Sequence, residues 1–205
     1  MLGRAAVAMW WDVAPEMKSE WEHWHSHEHM PERVGIPGFL RGTRWIAASG
    51  EPSYFVSYEV KNLATITGGA YLERLNHPTP WSLKMMPHHR NMVRSLCRVR
   101  AGFGGGLGQA MATIRFSPQE REVLPGLQER KGVTGVHLLE SQPVAGPPTT
   151  EQKIRGGDAR ADWVLLVCGY DIDAVRAAAG EYRLPGAVEG LYRLAFAMTS
   201  RDLPR

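Results

Sequence analysis

Gly102-Phe103-Gly104-Gly105-Gly106-Leu107-Gly108 interrupts every hydrophobic period in the chain and separates two stretches whose order of elements matches. Its glycine spacing fits neither G-x-G-x-x-G nor G-x-x-x-x-G-K, and no Lys-Ser/Thr pair follows, so a phosphate loop gives way to a linker. Upstream, Ala5 to Val13 predicts an apolar strand and Pro15 to Met30 a helix that Pro31 should end or kink. Gly35-Ile36-Pro37-Gly38 is turn chemistry. Phe39–Ala48 and Tyr54–Val60 read as strands joined through Gly50-Glu51-Pro52-Ser53. Leu63 to Leu75 reads as a second helix, Thr79 to Pro87 as a short one, and Met92 to Val99 as the closing strand.

Downstream the order returns. Ala112–Phe116 predicts a strand, Pro118–Arg130 a helix, Gly135–Glu140 a strand, Trp163–Tyr170 a strand, Asp171–Tyr182 a capped helix and Leu191–Thr199 the last strand. Gly38-Phe39 and Tyr54-Phe55 map onto Gly135-Val136 and Trp163-Val164, with the Pro- and Gly-rich 141–160 stretch accounting for the longer spacing. The expected fold class is α+β: two tandem βαββαβ units forming an α+β barrel, residues 1–101 carrying the site, 102–109 as linker, 110–205 as second unit.

Composition fits this plan. The 205 residues are 43% hydrophobic and 22% charged, enough for full cores and too ordered a mixture for disorder. A net charge of +3, spread without a basic block, gives no footprint for nucleic acid. No run approaches the roughly 18 apolar residues of a spanning helix, and the Ala5–Trp11 run is too short for a signal peptide. Cys97 and Cys168 lie in apolar runs, so a reducing cytoplasm is expected, with both thiols in the core.

The chain holds 7 Trp and 8 His, and Trp21-Glu22-His23-Trp24-His25-Ser26-His27-Glu28-His29 concentrates them. At 100° per residue, Met17, Trp21, Trp24 and Glu28 share a stripe, His25 and Glu32 lie beside it, His29 stands one turn after His25, and His23 and His27 face away. A carboxylate among indoles needs a partner, and the two imidazoles are near enough to supply one. Such a trio suits proton transfer. His25 to His29 also spell H-x-x-E-H, an inverted zinc motif, with Glu32 or His88-His89 as third ligand. His77 reads as a loop residue and His137 as a strand residue of the second unit. No G-x-S-x-G nucleophile motif is present.

Trp24-His25-Ser26-His27-Glu28-His29-Met30-Pro31-Glu32-Arg33, followed by Ile36-Pro37-Gly38-Phe39-Leu40-Arg41-Gly42, resembles the first helix and second strand of dimeric α+β barrel proteins with ferredoxin-like units, closest to the EthD-like branch. The resemblance implies small cytoplasmic proteins of small-molecule catabolism. They include cofactor-free monooxygenases, muconolactone-type isomerases, polyketide cyclases and haem-handling enzymes. By position it turns Trp24, His25, Glu28 and His29 to the pocket. This chain departs from the single-unit pattern by carrying two units, and its second half offers only Glu120, Glu122 and Glu129 where the Trp/His/Glu helix would be, so one functional pocket is expected.

The expected function is therefore an isomerase, cyclase, lyase or cofactor-free oxygenase acting on a small apolar or aromatic organic acid or ketone. His25 or His29 would be the base and Glu28 its partner. Trp21, Trp24 and Trp81 would form the apolar wall, Arg33, Arg41 or Arg44 would hold a carboxylate, and His88 and His89 would line the pocket. The alternatives are a metal-dependent enzyme on His25, His29 and Glu32 and a non-catalytic small-molecule or haem-binding protein. No nucleic-acid or membrane partner is expected, and the chain is read as a monomeric pseudo-dimer or a homodimer.

Overall fold

The computed structural model describes residues 1–117, 126–143, 146–182 and 184–203. The first half runs β1 (Ala5–Val13), α1 (Lys18–Trp24), a π-helical turn (His25–His29), α2 (Met30–Val34), β2 (Phe39–Ser49), β3 (Tyr54–Val60), α3 (Leu63–Thr67), α4 (Gly69–Asn76), α5 (Pro80–Met85) and β4 (His89–Phe103). The second half runs β5 (Ala110–Phe116), β6 (Val133–Ser141), α6 (Thr150–Ile154), β7 (Trp163–Gly169), α7 (Ile172–Gly180) and β8 (Val188–Thr199). Most of the helix expected over Pro118–Arg130, with Glu120 and Glu122, lies outside the described residues. Its end is a 3-10 turn, Leu127–Glu129.

The eight strands close into an antiparallel barrel in the order β1-β3-β2-β8-β5-β7-β6-β4. Each half contributes four strands in the same internal order, β4-β1-β3-β2 and β8-β5-β7-β6, and the pairs β2–β8 and β4–β6 join them. This is the α+β barrel of two βαββαβ units that the order of elements predicts.

The continuous apolar run of β1 has a direct cause. Side chains alternate across a strand, so Ala6, Ala8 and Trp10 pack inside the barrel with Trp45, Phe55 and Tyr192. Ala5, Val7, Met9 and Trp11 pack outward under the helices with Trp21, Trp24 and Met30. A strand covered on both faces has no polar side to show. The barrel interior is filled, its indoles satisfied within it: Trp10 donates to Thr113 Oγ1 at 3.1 Å and Trp45 to Thr43 Oγ1 at 2.9 Å. β4 runs on through Phe103, which pairs with Val136, so the sheet takes the first residues of the glycine run. At Gly104, φ is +71° and a Cβ would stand 2.1 Å from the Thr134 carbonyl oxygen, so the exit from the sheet requires glycine.

Of the two outcomes expected at Pro31, an end or a kink, the first does not occur. The first helix does not stop at Met30 but continues to Val34. A Pro ring clashes with the carbonyl four residues back in a regular α-helix. Here the turn before it widens, the Met30 N–H donating to the His25 carbonyl five residues back. Pro31 then falls in the first turn of α2, where its missing N–H costs nothing.

Candidate active site

The widened turn decides which side chains meet. With five-residue bonding, residues four apart stand nearly over one another, and the His25 and His29 rings lie 5.6 Å apart between centroids. His25 stacks on Trp21 at 4.8 Å and His29 leans on Trp24 at 4.6 Å. From the start of β4, His89 meets Trp11 edge-on at 5.2 Å and accepts a hydrogen bond at Nε2 from the Trp21 indole at 2.8 Å. The three imidazoles face a cavity of about 30 Å³ between helices and sheet, also lined by Trp11, Arg33, Tyr58, Tyr71 and Arg94. That volume holds a water molecule or two.

Two further lining residues, Glu151 and Arg155, belong to α6 of the second half. Glu151 forms a buried ion pair with Arg33, each side chain only 2–3% exposed, and Arg155 pairs with Asp158 at 2.9 Å and with Glu151 at 3.5 Å. The two halves thus build one site.

The electrostatics are consistent throughout the cluster. Burial, then Arg44, holds the His25 imidazole well below its ordinary value. Burial, then Arg33, does the same to His29, and burial puts His89 at about 3. All three are neutral at physiological pH. Arg44 approaches His25 Nδ1 at 3.5 Å, which makes that nitrogen the acceptor and Nε2 the carrier of the proton. His29 Nδ1, Trp11 Nε1 and the Tyr58 hydroxyl are buried without a hydrogen-bond partner among the described residues. Buried polar groups are nearly always paired, so such a cluster of unpartnered groups around one cavity, with His89 Nδ1 also among them, marks a place kept for a polar guest. Tyr58→Phe should therefore change the free protein's stability by less than about 1 kcal/mol, where deleting a bonded hydroxyl costs about 1–3 kcal/mol. The urea unfolding midpoint checks this.

Several expected residues lie elsewhere. Glu28 does not join the imidazoles: the widened turn swings it aside, where it accepts from Trp24 Nε1 at 3.1 Å, from Thr79 Oγ1 at 2.5 Å and from Ser82 Oγ at 3.5 Å, fastening the turn to α5. Arg41 is held by Glu59 at 2.6 Å in a different cavity, beside His137. Arg44 donates to the Glu22 carbonyl and lies over Trp21 and Phe196. Trp81 rests against His23, outside the cavity, as is His88; Trp21 backs the cavity through His25 and His89. Among the described residues no three His, Cys, Asp or Glu are gathered for a metal ion. Glu32, the expected third ligand, is taken by Arg33 at 2.9 Å and Arg74 at 3.4 Å. Cys97 is a core residue as expected, its thiol pushed up to about 12 by burial.

Tyr58, Tyr71, Arg94, Glu151 and Arg155 were not flagged by the sequence reading. For α6 a signal existed: Thr149-x-x-Gln152 is a capping box, and both of its reciprocal hydrogen bonds form.

No protein-family model and no curated protein matches the sequence. Solved structures do match in shape. A candidate monooxygenase from Fusobacterium nucleatum subsp. nucleatum is 11% identical with a TM-score of 0.58, over 97% of this chain and 96% of that one. An anthrone oxidase-like protein is 9% identical with a TM-score of 0.54, over 96% and 92%. A candidate monooxygenase from Lactobacillus acidophilus is 10% identical with a TM-score of 0.54, over 96% of both chains. The eight-stranded α+β fold of this chain is shared with these structures. At such identities the likeness is one of fold. No described helix is long and apolar enough to cross a membrane.

Proposed function

We propose that this protein is a small-molecule enzyme of the oxygenase-like α+β barrel type, which removes an acidic proton from an apolar or aromatic ketone, enol or phenol at His29, with His25 and His89 beside it. The observation that carries the reading is the partnerless Nδ1 of His29 in the cavity floor, on an imidazole that Arg33 helps to keep unprotonated. A base must be free of its proton at working pH. The same positive field that keeps His29 neutral favours an anion in its place of approach, lowering the cost of ionising a bound C–H or O–H acid. The resulting enolate is the species that dioxygen oxidises in cofactor-free oxygenation, or that is reprotonated in an isomerisation. The resemblance of Trp24 to Arg33 to the EthD-like branch and the anthrone oxidase-like neighbour support this class of chemistry.

Anthrone, a ketone whose CH2 is acidified by two aryl rings and a conjugated carbonyl, is the probe. The protein should accelerate oxygen uptake in air and deuterium exchange at that carbon in anaerobic D2O. His29→Phe should lower both by about a hundredfold, within the usual worth of a general base, while the thermal midpoint stays within a few degrees. Equal exchange and uptake in wild type and in the His25→Phe/His29→Phe double variant would remove the imidazoles from the chemistry.

A further inference from the structure

A second and larger cavity, about 450 Å³, opens on the outer side of the histidine cluster. Its walls are largely apolar, with Ile66 from α3, Leu72 and Leu75 from α4, Leu96 from β4, and Pro147 and Pro148 from the stretch leading into α6 of the second half, and Thr67, Thr149 and Gln152 add polar atoms. The volume suits a ligand of ring-system size. Leu75 and Arg94 line this cavity and the inner one alike, so the two meet at Arg94.

Arg94 differs from its cationic neighbours. Arg33 has Glu32 and Glu151, and Arg155 has Glu151 and Asp158. Arg94 donates to the Tyr71 hydroxyl at 3.0 Å and sits 5.8 Å over that ring, with no carboxylate within ion-pair distance among the described residues. Tyr71 accepts that bond on its oxygen, leaving its own proton to donate. A half-buried guanidinium and a phenol proton together offer two donors to one anionic group, the geometry a planar carboxylate satisfies.

We propose that the outer chamber binds an apolar monocarboxylate, its hydrocarbon body between α4 and the proline stretch and its carboxylate on Arg94 and Tyr71, at the threshold of the imidazoles. This assigns the anion-holding role to Arg94, since Arg33, Arg41 and Arg44 are already engaged within the protein. It also gives the 146–149 segment a function, as one wall of a binding chamber whose other walls belong largely to the first half. The proposal deepens the enzymatic reading by naming a substrate class, and binding can be measured without turnover.

Isothermal titration with 1-naphthoate and with neutral 1-naphthamide tests it. The full-length protein should prefer the carboxylate by about tenfold or more, the usual worth of a charge-assisted contact. Arg94→Met should bring the two affinities level while naphthamide still binds, and Arg94→Lys should restore part of the preference. Leu72→Trp, at a half-exposed wall position that tolerates bulk, should weaken both ligands. His29→Phe should leave naphthoate binding in place, so loss of turnover in that variant speaks to the chemistry and not to this site. Equal affinities in the wild type, a preference that survives Arg94→Met in folded protein, or no naphthoate binding at millimolar concentration would each overturn the proposal.

Discussion

Glu151→Ala should destabilise the protein by about 3–5 kcal/mol, the cost of removing one partner from a buried ion pair. Arg33 is only 2% exposed and its charge is fixed, with Glu151 and Glu32 as its carboxylates. Arg155 would lose a carboxylate in the same step. Because Glu151 comes from the second half and Arg33 from the first helix, the loss falls on the contact that closes the site. Glu151→Gln keeps the shape and should cost less than the alanine. The paired change Arg33→Met/Glu151→Met replaces the two charges by apolar volume and should recover most of the deficit, since such exchanges are often neutral. Urea denaturation of the three variants decides the matter, and a Glu151→Ala cost below about 1 kcal/mol would show that the pair is not isolated from water.

Lowering the pH below about 6.5 should destabilise the protein through its buried imidazoles. His25, His29 and His89 have folded values depressed by burial, that of His89 to about 3, against an unfolded value near 6.5. Between those limits the unfolded chain binds protons that the folded one refuses, so stability rises with pH through this window and falls as pH drops below about 6.5. Each group contributes about 1.4 kcal/mol per pH unit, and three give roughly 4 kcal/mol per unit at the steepest. His137, lowered to about 4, adds its share down to that pH. Glu32, raised by burial, works the other way and offsets a little of this just above the ordinary carboxylate range. The thermal midpoint should be flat above pH 7.5 and drop steeply from 6.5, less steeply in His25→Phe. A midpoint unchanged from pH 7.5 to 5.5 would mean that the imidazoles are hydrated.

The fold could be read from the sequence because its signals are local. The apolar run of β1 ends where its strand ends, and the doubled order of elements follows from punctuation by glycine and proline. The site was legible in part. Trp24, His25, His29, Arg33 and His89 do line one cavity. Glu28 does meet an indole, that of Trp24; what failed was its expected pairing with the imidazoles, since the 100° projection does not hold through the π-helical turn and Thr79 and Ser82 take the carboxylate instead. Arg94 was hidden for another reason: a lone cation on a strand reads as a solvent residue until α4 and the second half cover it. Glu151 and Arg155 lie more than a hundred residues from Arg33, and only closure of the barrel brings them near.

The seam between β2 and β8 matters while the chain is being made. Arg41 pairs with Thr199, and Ser49 with Leu191. At translation rates of roughly 5–20 residues per second, on the order of ten seconds pass on the ribosome between completion of β2 and emergence of its neighbour. Throughout that interval β2 presents an unpaired edge to every other nascent chain nearby, a template for wrong pairing.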